Sequence, residues 1–104
     1  MKPRITEDGV LVCPNCGFDY LHHGRVEVFN RRCEDAEDGF HCTVWSSSAD
    51  SDHNMRGNPS TRRDGVLIHI EECEGCECPP VALAIYQHKG QTFIQWVGEN
   101  SGIS

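Results

Sequence analysis

The sequence lacks any long hydrophobic run: no window approaches the ~18 apolar residues of a membrane span, so no helix within it is expected to cross a membrane. Ordinary core residues are also scarce. Leu, Ile, Val and Phe together number 22 of 104 residues, about 21% and just above the level at which disorder becomes the default. A core this thin in a small chain calls for a staple: a metal, disulfides or a partner. No stretch of ten residues carries a 3.6-residue apolar period, which argues against helices. Positive charge is short as well. Sixteen acidic residues outnumber nine basic ones, giving a net charge of −7. That disfavours a general binder of nucleic acid or anionic membrane. The first ten residues, MKPRITEDGV, carry no signal-peptide apolar run, and the expectation is a cytoplasmic protein with reduced thiols.

What is present is β-type. Residues 10–13, 25–29 (RVEVF), 41–45 (HCTVW) and 66–71 (VLIHIE) read as short strands. Val26 and Val28 lie on one face of theirs, as do Val66, Ile68 and Ile70. Residues 81–88 and 92–97 read as a hairpin with Lys89-Gly90 at its tip, because Gly90 accepts φ > 0. One helical turn near 33–38 is compatible with the local sequence. Residues 30–39 and 46–64 are polar insertions. The second offers only Ala49 and Met55 as ordinary apolar side chains. It reads as a mobile loop, dispensable for folding and available to a partner. The expected architecture is one all-β domain over residues 1–104, a small antiparallel sheet or sandwich with an ordered core at 9–98.

Seven cysteines are an odd number, which no closed set of intrachain disulfides can use up. Four of them form two C-x-x-C units, Cys13-Pro14-Asn15-Cys16-Gly17 and Cys73-Glu74-Gly75-Cys76. Such a spacing turns two sulfurs inward on a tight knuckle, with backbone N–H groups aimed at the thiolates. Two knuckles meeting face to face supply the four-thiolate tetrahedron that suits Zn²⁺. The assigned ligands are Cys13, Cys16, Cys73 and Cys76, holding one structural zinc. Cys13, Cys16, Cys33 and Cys42 form a rival set. Cys78 is a possible replacement for Cys76. Cys42 reads as a buried free thiol beside Val44, and Cys33 as an exposed one.

The pattern CPNCG followed by CEGC resembles the zinc-ribbon class, which implies β-hairpin knuckles joined by zinc. The departure is the 56 residues between Cys16 and Cys73, against ~15–20 in the simple pattern. A long insertion between the knuckles is therefore required. CPNCG, YLHHGRVEVF, CEGC and QHKG together resemble small uncharacterised zinc-ribbon-like proteins of high-GC Gram-positive bacteria and their phages. That resemblance implies no activity.

Other motifs carry less. Cys13-Pro14-Asn15-Cys16 resembles a redox pair, but no helix follows it to lower a thiol pKa. His69-x-Glu71 before Cys73-x-x-Cys76 echoes zinc deaminases, yet it sits in a strand with the wrong spacing. His69 and Glu71 read as facing solvent or a loop. Adjacent His22 and His23 point to opposite faces and cannot share a metal. His41, His53 and His88 have no partner legible in the sequence. Arg31, Arg32, Arg56, Arg62 and Arg63 are interleaved with acids. The resulting reading is a zinc-binding protein-interaction module without enzymatic activity. The alternatives are a nucleic-acid-associated ribbon and a redox or zinc-dependent enzyme.

Overall fold

The computed structural model describes residues 2–98. It is all-β, with no helix among the described residues. Six strands follow one another: β1 Leu21–Arg31, β2 Asp38–Trp45, β3 Ser48–Asn54, β4 Gly65–Cys73, β5 Val81–His88 and β6 Gln91–Gly98. They form one open antiparallel sheet in the order β3-β2-β1-β4-β5-β6. Four of these strands contain the expected runs 25–29, 41–45, 66–71 and 81–88, and β6 contains 92–97. The expected strand at 10–13 makes only the isolated bridge Ile5–Leu11. Residues 33–38 make a bend, closed by Ala36 N–H donating to the Cys33 carbonyl at 3.0 Å.

The β5–β6 turn has φ of +51° at Lys89 and +79° at Gly90. Both residues are left-handed, the twist a two-residue hairpin needs. The β2–β3 turn does the same at Ser46 (+45°) and Ser47 (+66°). Serine is a poor signal for that conformation, so this hairpin was hidden in a segment read as loop.

The register sorts side chains onto two unlike faces. One face carries two cross-strand rows, Ser51-Cys42-Val28-Val66-Ile85-Ile94 and Ala49-Val44-Val26-Ile68-Leu83-Trp96. The other carries Asp50-Thr43-Glu27-Leu67-Ala84-Gln95 and Asp52-His41-Phe29-Gly65-Tyr86-Phe93. The main buried cluster lies on this second face, while Ile70 and Trp96 are buried on the first. Phe29, Leu67, Ala82 and Ala84 form that cluster with Met55, flanked by Tyr86 and Val97.

Met55 corrects the reading of 46–64 as a mobile loop with nothing for the core. That segment supplies the edge strand β3 and then folds back over Phe29. Asn58 and Ser60 are buried within it. Ser60 N–H donates to Asn58 Oδ1 at 2.9 Å, and Asn58 Nδ2 donates to the Arg63 carbonyl at 3.0 Å. Ser60 Oγ donates to the Gln87 carbonyl at 2.6 Å and accepts from Arg63 N–H at 2.8 Å. Its polar side chains thus satisfy backbone groups inside the fold, a role that counting apolar residues overlooks. Cys42, expected to be buried, is half-buried because its face of the sheet is open.

Met55→Ala should cost about 2–5 kcal/mol in urea unfolding. Replacing residues 48–62 by a Gly-Ser linker should destabilise the fold rather than spare it.

Candidate metal centre

The two knuckles come together at one end of the sheet, where β1 begins and β4 ends. Leu21 pairs with Cys73 across the β1–β4 ladder, and Glu74 N–H donates to the Tyr20 carbonyl at 3.1 Å. The second knuckle is thereby tied to the chain leaving the first. The Sγ atoms of Cys13, Cys16, Cys73 and Cys76 all lie within 4.8 Å of one another. Cys16 and Cys73 are 3.5 Å apart, and Cys13 and Cys76 are 3.9 Å apart. Together the four can hold a metal ion. Cys33 and Cys42 of the rival set lie outside this cluster. All seven cysteines are free thiols.

The knuckles share their local chemistry. Asn15 N–H donates to Cys13 Sγ and Gly75 N–H to Cys73 Sγ, each at 3.4 Å. The first thiol of each pair therefore receives an N–H from two residues on. Gly17 takes φ of +83° as the first knuckle closes. At Gly75 the constraint is proximity: a Cβ there would stand 2.7 Å from Phe18 Cβ and 3.1 Å from Cys16 Sγ. Asn15 Nδ2 adds a donor to Cys76 Sγ at 3.3 Å.

Burial raises the Cys13 thiol, but the N–H groups of Cys16 and Asn15 and the thiols of Cys73 and Cys16 outweigh it and bring it down to about 6. Cys78 goes the other way. Its Sγ lies 3.8 Å from that of Cys13. Burial first, then the adjacent sulfurs, push it up to about 12. His22 Nε2 meets Glu74 Oε2 at 2.6 Å on the exposed rim.

A second polar cluster lies in mid-sheet, where the sequence reading placed nothing. His69, expected to face solvent or a loop, is 6% exposed. Its Nε2 donates to Glu27 Oε2 at 2.6 Å. His41 Nε2 meets Glu27 Oε1 at 2.8 Å, and its Nδ1 meets Asp52 Oδ1 at 3.1 Å. Both contacts are donations only when the His41 ring carries two protons. Phe29 stacks on the same ring at 4.3 Å. Arg25, Glu27, Thr43, Trp45, Asp50 and Asp52 border an open hollow of about 460 Å³ above this cluster. The available signal was alternation: Glu27 and His69 share a parity with Phe29 and Leu67, opposite the aliphatic parity of Val26, Val28, Val66 and Ile68.

No family model, no curated protein and no solved structure matches the chain.

The His69 hydrogen bond holds the Glu27 carboxyl below the usual carboxylate range, against burial, with His41 and Arg25 adding to the effect. A depressed folded pKa contributes stability above the unfolded value of about 4.3 and loses it as pH falls through the folded value. Glu27→Gln should therefore cost about 1–3 kcal/mol at pH 7. The gap between wild type and variant should narrow below about pH 4 in paired urea titrations.

Proposed function

We propose that this protein is a zinc-ribbon-like interaction module. Cys13, Cys16, Cys73 and Cys76 hold one structural Zn²⁺, and the module acts by binding protein in the cytoplasm. The observation that carries the metal assignment is the sulfur spacing. Four sulfurs at ~2.3 Å from a tetrahedral zinc stand about 3.8 Å apart, and the Cys16–Cys73 and Cys13–Cys76 pairs measure 3.5 and 3.9 Å. Four thiolates fill the coordination sphere and leave no position for water, so the zinc supplies folding energy rather than Lewis-acid catalysis. A free-thiol cluster of this kind suits a reducing compartment.

Charge supports a protein partner over nucleic acid. Arg62 pairs with Asp35 at 2.8 Å and with Glu34 at 3.1 Å, and Arg32 pairs with Asp38 at 3.0 Å. Arg31 donates to the carbonyls of Ser60 and Arg63. These cations serve the fold's own acids and carbonyls. Four thiolates with one Zn²⁺ take the formal charge from −7 to about −9. The uncharged face of the sheet is the surface best suited to a protein.

Purified chain should carry one zinc, and chelation should lower its melting temperature. Cys73→Ser should lose metal and stability, whereas Cys33→Ser and Cys42→Ser should retain both. Full zinc occupancy in Cys73→Ser, measured by plasma mass spectrometry, would overturn the ligand assignment. Generic duplex DNA or RNA should bind more weakly than micromolar at ~150 mM salt, because non-specific affinity comes from phosphate electrostatics. A submicromolar gel shift that weakens steeply with added salt would favour the nucleic-acid reading.

A further inference from the structure

We propose that the uncharged face of the sheet is a homodimer interface, closed by the same face of a second copy to make a two-layer β-sandwich. The inference deepens the protein-interaction reading by naming the surface and the partner.

The two rows through Val28 and Val26 cross all six strands without a single charged residue, in a chain that is 24% charged. Ten of those twelve side chains are aliphatic, Ala or Trp. The face is open over part of its extent, while Trp96 on it is buried. Val28 is 44% exposed, Val44 48% and Ile94 48%. At the knuckle end Val10, Leu11, Leu21, Ile70 and Leu83, with Asp19 and His23 at the same hollow of about 360 Å³, border the charge-free rows. A sheet buries such a face against a second layer. Residues 55–64 cover the opposite face, with Met55 in its core.

Three considerations select a copy of the same chain. The first is area. Six strands at ~4.8 Å spacing and six residues at ~3.4 Å make a face of about 600 Å² in projection, of which the two charge-free rows take about 400 Å² and a polar rim the rest. Two copies then bury about 1,200 Å², the lower bound for a specific interface. The second is charge. The partner must be uncharged over the same extent, and an identical face meets that condition row by row. Its aligned packing at ~10 Å is the ordinary geometry of sheet on sheet. The third is repulsion between two acidic chains. Asp50, Glu27 and Asp52 lie on the outer faces of such a sandwich, separated by both sheets and farther apart than the ~8 Å Debye length at physiological salt. The acidic edge strand β3, with Asp50 and Asp52 among seven exposed residues, discourages the competing edge-to-edge pairing at that side.

The test is sedimentation equilibrium of the zinc-loaded full chain across the micromolar range, with zinc content and circular dichroism recorded on the same samples. The expected result is twice the chain mass. Val28→Lys and Val44→Lys, each at an exposed position, should weaken dimerisation about a hundredfold or more by burying an unpaired charge. Asp50→Lys, on the opposite face, should leave it unchanged. Ile94→Lys repeats the test from another strand if either valine variant fails to fold. A wild-type chain that stays monomeric with full zinc overturns the proposal and leaves the metal assignment standing. So does a zinc-loaded monomer that floats with phosphatidylcholine vesicles, which would make lipid the occupant. A dimer indifferent to all three lysines also overturns it and assigns the contact to the β6 edge.

Discussion

The antiparallel pairing of β1 with β4 is the constraint from which the rest of the molecule follows. Its register brings Leu21 beside Cys73, closing the 56-residue separation between the knuckles. Every other strand hangs on these two: β2 and β3 extend from β1, and β5 and β6 from β4. A one-residue slip in this ladder would put Phe29 and Leu67 on opposite faces of the sheet. It would also pull the knuckles out of register. The irregularities between His22 and Val26 sit between the knuckle end and the regular part of the ladder. They let the strand serve both without a compromise in either.

The same ladder explains why a polar cluster sits in the middle of so small a fold. Glu27 and His69 belong to the core parity of β1 and β4, beside Phe29 and Leu67. At one end of that face the segment from Met55 to Asp64 excludes water and the residues are apolar. Beyond that cover the face continues as Glu27, His41, His69 and Asp52, each satisfied by another member of the group. A half-satisfied set would cost more than an aliphatic one. Among the described residues no buried side-chain nitrogen or oxygen lacks a hydrogen bond. The cluster thus continues the core with hydrogen bonds where the covering segment ends.

Much of this was legible in the sequence because it is local. Two C-x-x-C spacings predict two knuckles, and Val-x-Val or Ile-x-Ile alternation predicts strands. Lys-Gly between two such runs predicts a turn. What escaped was non-local. Nothing in Ser46-Ser47 announces a left-handed pair; β2 imposes it by pairing with β3. Nothing in Asn58-Pro59-Ser60 announces burial, because those side chains earn their place by bonding carbonyls and N–H groups that the sequence does not juxtapose. His69 looked like a strand residue facing solvent until Glu27, 42 positions away, supplied its acceptor. The cysteine quartet was legible for the opposite reason. Its members must meet to be useful as ligands, so two local motifs implied one distant contact.

That implied contact also bears on how the chain folds. The β1–β4 ladder joins segments far apart in sequence, and such pairings incur their loop-closure entropy before contacts repay it. A metal held across the two knuckles would tie the open end of that ladder and reward the closure directly. Metal affinity and ladder stability would then be two readings of one free energy, since the four thiols are assembled only when Leu21 and Cys73 are paired. The thin core becomes intelligible on those terms. Phe29, Met55, Leu67 and two alanines would not have to hold the sheet closed at the knuckle end, because a metal on the four thiols would act there. They secure the far half of the ladder, where Met55 and Ser60 clamp Phe29 and Gln87.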